Sequence, residues 1–253
     1  MLHDVLVQPL INLLVGIYAI VPGHDFGVAI IIFTILVRFA LWPLVRKQFR
    51  QQRALRELQP DIAKIKAKTK GDKQKEALLI MELYREREIN PFASLGLILV
   101  QFPVLIALFV ALRTILQEGQ IVQEAYSFVR ELGYMKQVVV TPSLFDPRLF
   151  GLIHLNQPHL FLALTAAVGQ YIQTKQLMPR PKERKRLRDV LRNSAKTGDN
   201  SEAITAMNQG MGSFFSVLMF VAAATLPSAL ALYWTVGSIV AIFLSSALFV
   251  ALL

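Results

Sequence analysis

Residues 27–45 read GVAIIIFTILVRFALWPLV, an apolar run that carries one charge, Arg38. A helix of about 20 such residues crosses a hydrocarbon core of about 30 Å. The guanidinium cannot lose its proton to escape burial, so Arg38 needs water, a partner or a task at that depth. One bland alternative stays open. Arg38 lies seven residues before Val45, roughly 10 Å along a helix, and a long side chain can snorkel much of that distance.

The rest of the 253-residue chain has the same character, 54% hydrophobic and only 17% charged, more apolar than a soluble domain requires. Further runs at 91–112, 159–176, 210–226 and 228–253 bring the expected spans to five. Asn90-Pro91 opens the second with a capping side chain followed by proline. Pro227 divides the last two, and because they total twice a bilayer crossing they read as a hairpin. Residues 5–21 are apolar but interrupted by Pro9, Asn12 and Gly16, so segment 1–25 is expected to carry an interfacial helix, with an added crossing as the alternative.

Loop charge orients the spans. Residues 46–90 hold thirteen Lys and Arg against seven acids, and 175–206 hold nine against four. Residues 113–158 have four of each sign, and 1–37 have no Lys or Arg. The positive-inside rule puts the two basic loops, 46–90 and 177–209, in the cytoplasm. It puts the N-terminus and the 113–158 loop outside, and five spans then leave the C-terminus in the cytoplasm. Arg38 is the one basic residue of the 27 that this topology does not use. The net charge of +10 suits anionic lipid head groups or RNA.

In the 46–90 loop, Leu55, Leu58, Ile62 and Ile65 form one apolar stripe and Ile80, Leu83 and Tyr84 another, with Gly71-Asp72 as the turn of a helical hairpin. Pro60 marks a junction between helices. Within the spans, Thr34 shares a face with Arg38, Gln101 precedes Pro103, Gln170 and Gln173 share a face, and Tyr233, Trp234, Thr235 and Ser238 lie on the last span. These faces either enclose a polar cavity around Arg38 or act as glue between helices. Tyr233 and Trp234 also suit an aromatic belt.

The absence of cysteine excludes disulfides, thiolate metal sites and a lipidated Cys. The spans hold no Asp or Glu, and no Lys apart from Lys175 at the end of the third, against a carboxylate relay, and no catalytic or phosphate-binding motif is present. No enzyme activity, cofactor or metal is expected.

Three stretches together, FGVAIIIFTILVRFALWPL at 26–44, LQPDIAKIKAKTKGDKQKEALLIMELYREREINPFASLGLILVQFPVLIALF at 58–109 and LPSALALYWTVGSI at 226–239, resemble the YidC/Oxa/Alb membrane-protein insertases in order and spacing. The resemblance implies an all-α integral membrane protein of a bacterial plasma membrane, in the short form without a large extracytoplasmic domain. Five helices would surround a hydrophilic groove, with a cytoplasmic helical hairpin and an N-terminal interfacial helix. Arg38 and Thr34 would attract polar or acidic parts of a substrate, with Gln173 and Trp234 near the arginine and Gln101, Gln170 and Tyr233 as further lining. The implied partners of a monomer are nascent membrane proteins, the ribosome, a Sec translocon and anionic lipids. The sequence reaches Leu253 without a basic stretch at its end, so the ribosome contact is expected at the 46–90 hairpin or the 175–206 loop. A small polar-groove channel or lipid scramblase-like protein is the alternative function.

Overall fold

The computed structural model describes residues 3–69, 72–88, 93–117, 120–177 and 216–251. The Asn90-Pro91 start signal, Gly71 and the basic stretch 178–215 lie outside the described residues. The chain divides into two units, one of Met1–Leu41, Gln101–Thr174 and Phe214–Leu253, the other of Trp42–Val100 and Lys175–Ser213.

The first unit begins with a π turn, His3–Val7, that runs into α1, Gln8–Ile20. The residues expected to interrupt this segment do not. Pro9 falls in the first turn of α1, where a helix needs no N–H donor, and Asn12 and Gly16 are accommodated within it. The helical run His3–Ile20 is therefore long and apolar enough to cross a membrane, as is Ser228–Ser246. Four shorter apolar helices accompany them, Phe26–Ala40, Leu105–Ile115, Leu160–Gln173 and Ser216–Thr225.

Asn12 shows how α1 is fixed. Its Nδ2 donates to Gln8 O at 2.8 Å and to Glu124 O at 3.2 Å, and its Oδ1 accepts the Tyr126 N–H at 2.5 Å. A buried amide is thus satisfied by backbone more than a hundred residues away. The turn into the next helix needs positive φ, which Gly23 supplies at 77°. Asp25 then caps α2, Phe26–Ala40, by accepting the Val28 N–H at 2.9 Å. Its other oxygen accepts the Phe150 N–H.

Apolar residues at helical spacing build the core. Ile11, Leu14, Val15 and Tyr18 of α1 and Phe26, Ala29, Ile30 and Phe33 of α2 are buried. The other face of α2 exposes Ile32, Leu36 and Phe39, the last 57% exposed. Leu41 interrupts the chain after α2, and α3, Trp42–Glu57, begins beyond it. Pro43 accounts for the break, because it has no N–H to offer the last turn of α2 and fits the first turn of α3.

Helix α6, Ala93–Ile115, contains Pro103 and buries Ala107, Leu108, Ala111, Leu112 and Ile115. The connection that follows holds three short helices, α7 (Gln120–Glu124), α8 (Ser127–Arg130) and α9 (Met135–Val140), and a two-stranded hairpin of β1 (Arg148–Leu149) and β2 (Ile153–His154). His24 stacks on Tyr134, with ring centroids 3.8 Å apart and planes within 7°. Tyr18, Phe26 and Phe145 pack edge to face beside them.

Helix α10 is Leu160–Leu177, α11 is Ser216–Thr225 and α12 is Ser228–Ala251. The chain leaves helical conformation at Leu226-Pro227, so the last two apolar runs are separate helices. The hairpin binds the start of α12, since Ser228 Oγ donates to His154 O and the Ala229 N–H to Leu155 O, both at 3.0 Å. It also covers the start of α2, where a β-carbon on Gly27 would lie 2.9 Å from Leu149 Cα. Helices α2 and α12 therefore start at the same end of this unit and pack along one another.

In the second unit, α4 (Gln59–Thr69) pairs with α5 (Lys73–Glu86). Pro60 sits in the first turn of α4 and Asp72 caps α5 by accepting the Lys75 N–H at 3.1 Å. Leu58 and Ile62 are buried, and Ile80, Leu83 and Tyr84 are half-buried. Lys66–Glu76 at 3.9 Å and Arg87–Asp61 at 4.0 Å cross the pair and fix it as antiparallel.

Candidate functional site

Arg38 stands in the last turn of α2, where the helix dipole favours a cation by about 0.3–1 kcal/mol. That is less than the about 2.5–3.5 kcal/mol that an arginine costs at the centre of a membrane-spanning helix on insertion scales. Among the described residues no ion pair or hydrogen bond reaches the guanidinium, and its Nε is buried without a partner.

The group lies against the backbone of α12. A β-carbon built on Gly237 would come within 3.0 Å of Nε and 3.1 Å of Cζ of Arg38. Gly237 is the tenth of 24 residues in α12, about 14 Å from its start. Arg38 is the thirteenth residue of α2, about 18 Å from the start of that helix. Both helices start at the hairpin, and the Cα–Cβ bonds of a helix tilt toward its N-terminus.

The neighbours divide into contacts and bystanders. Tyr233 is buried and within electrostatic reach of Arg38. Thr34 is fully buried, and its hydroxyl donates to Ile30 O at 2.6 Å, so its proton is used within its own helix. Trp234 is half-buried against the core. Gln170 and Gln173 are half-buried on α10. Gln101 lies on α6 and its side chain is outside the described ones.

Helix α10 packs on α12 through small and hydroxyl residues. Thr165 Oγ1 lies 3.1 Å from Thr235 Oγ1, and a β-carbon on Gly169 would come 2.8 Å from Ser238 Cβ. The pairs advance together, 165 with 235 and 169 with 238, so the two helices run parallel. Residue 173 continues the same stripe by one turn. Sequence reasoning missed Gly237 and Gly169. The available signal was that small residues in apolar helices mark close approach.

Apolar helices with exposed lipid-like faces, with the Arg38 guanidinium of α2 lying against Gly237 of α12, fit an integral membrane protein. The comparisons make this specific. The chain belongs to the 60Kd inner membrane protein family, whose model matches residues 17–249. It is 31% identical over 219 residues to the membrane protein insertase YidC of Clostridium tetani, covering 87% of this chain and 79% of that one. The YidC of Fusobacterium nucleatum is 32% identical over 218 residues, covering 86% and 83%. That of Anaeromyxobacter dehalogenans (strain 2CP-C) is 28% identical over 219 residues, 87% of this chain but 32% of that longer protein.

Proposed function

We propose that this chain is a membrane protein insertase acting on nascent membrane proteins, with Arg38 as the charged centre of a hydrophilic groove. The observation that carries the reading is the unpaired guanidinium seated on Gly237. A permanent cation with no carboxylate partner among the described residues is ready to receive an acidic or polar segment of a substrate. Five spans, with the N-terminus outside and the C-terminus in the cytoplasm, would surround that groove, and Tyr233, Trp234, Thr34, Gln173, Gln170 and Gln101 would line it.

Water in the groove lets a polar segment go part of the way without full dehydration, against a cost of about 2.5–3.5 kcal/mol per charged residue. Burial of the arriving apolar helix in lipid drives the step, and the membrane potential adds about 2.3 kcal/mol per charge per 100 mV for acidic segments. No nucleotide or covalent chemistry enters. The basic elements of the second unit, the α4–α5 pair and the 177–209 stretch, supply contacts for a ribosome, a Sec translocon or anionic lipid, and the working form is a monomer. Family membership favours this reading over the channel or scramblase alternative.

Reconstituted protein, assayed with a single-span substrate bearing an acidic N-terminal tail, tests the proposal. A hydrogen bond to a charged group contributes about 1.5–3 kcal/mol. Arg38→Ala should therefore lower insertion by about tenfold or more, and unchanged insertion overturns the assignment of Arg38.

A further inference from the structure

The guanidinium of Arg38 is held where it is by a missing side chain. A β-carbon at position 237 would fall 3.0 Å from Nε and 3.1 Å from Cζ, and closer still to Nη2. Nothing else within hydrogen-bond reach fixes the group among the described residues. Its location is therefore set by shape. The planar group fits against the bare backbone of α12, and Tyr233, one helical turn earlier, is buried within reach of its charge.

We infer that Gly237 is a positioning residue, which keeps the Arg38 charge at mid-depth on α12 and so sets the preference of the site for acidic substrate segments. The inference rests on the proposed insertase reading. Gly169, one helix away, has a different task. There a β-carbon would strike Ser238 Cβ at 2.8 Å, a short side chain on a packed helix that cannot swing aside. At Gly237 the atoms in the way are the far end of a flexible arginine. An added methyl therefore moves the charge and leaves the helices together.

The contrast supplies the test. Two single-span substrates, identical except for an acidic or an uncharged N-terminal tail, are inserted by the reconstituted full chain, and the ratio of the two rates is read. Gly237→Ala should lower that ratio about three- to tenfold, with membrane abundance and thermal melting close to wild type. In the Arg38→Ala background, Gly237→Ala should lower it no further, because the charge it would displace is gone. Lysine has no Nη2, the atom the added carbon would meet first, so Gly237→Ala should affect Arg38→Lys less than it affects wild type. Gly169→Ala should depress both substrates alike, while Gly16→Ala, with nothing within 4 Å of the added carbon, should be silent.

If Arg38→Ala lowers the ratio and Gly237→Ala does not, the positioning role is overturned and the proposed function stands. If Gly237→Ala depresses both substrates equally and does so in the Arg38→Ala background, the glycine serves packing only and the inference is equally overturned. If Arg38→Ala itself leaves the ratio unchanged, the groove-charge reading fails and takes the inference with it.

Discussion

Asn12→Ala is the most direct test of how the connection between α6 and α10 is held on α1. The substitution removes two long-range hydrogen bonds, Nδ2 to Glu124 O at 3.2 Å and the Tyr126 N–H to Oδ1 at 2.5 Å. A typical hydrogen bond is worth about 0.5–1.5 kcal/mol net, so the two account for about 2 kcal/mol. The orphaned backbone groups add up to about 1 kcal/mol, discounted because Glu124 and Tyr126 are only half-buried and water can reach them. A total of about 2–3 kcal/mol corresponds to about 30- to 160-fold more frequent opening of the segment. Hydrogen exchange reads this directly. The amides to follow are Val129 and Arg130, which both donate to Tyr126 O at 2.9 and 3.0 Å and keep their acceptor in the variant. Their protection should fall by that factor while amides in α12 stay protected. A change of less than about threefold would refute the role given to Asn12.

Two further outcomes follow from geometry already described. Thr165 and Thr235 face each other, but each hydroxyl also donates within its own helix, to Leu162 O at 2.9 Å and Ala231 O at 2.8 Å. A double-mutant cycle with valine should give a coupling of only about 0.5 kcal/mol, in line with hydrogen bonds between membrane helices. A coupling above about 1.5 kcal/mol would show that the pair holds α10 on α12. The Lys64 ammonium bonds Asp61 at 2.9 Å and holds its carboxyl below the usual carboxylate range. A depressed carboxylate stabilises above its unfolded-state pKa and loses that contribution as pH falls through the folded-state value. The difference in α4–α5 hydrogen exchange between wild type and Asp61→Asn should thus be present at neutral pH and vanish in strong acid. A difference that persists there contradicts the ionic origin.

Much of the helical layout is legible in the sequence because its signals are local. The apolar runs, the stop at Pro227, the junction at Pro60 and the cap at Asp72 depend on residues within a few positions of one another. Pro9 was misread because proline breaks a helix only beyond its first turn, and the π turn before α1 sets that register. Thr34 reads as a partner for Arg38 from spacing alone, yet its hydroxyl is already satisfied by Ile30 O. The contacts of Asn12 and the seat of Arg38 were out of reach for another reason. Each joins residues more than a hundred positions apart, and one of the partners, Gly237, is recognised by what it lacks.

That separation in sequence has a consequence in time. At about 5–20 residues per second, Gly237 is synthesised roughly 10–40 s after Arg38. Through that interval the seat of the arginine does not exist, and its charge must be met by other groups. The charged site is completed only when α12 closes against α2, so a chain truncated before α12 holds Arg38 but not its geometry.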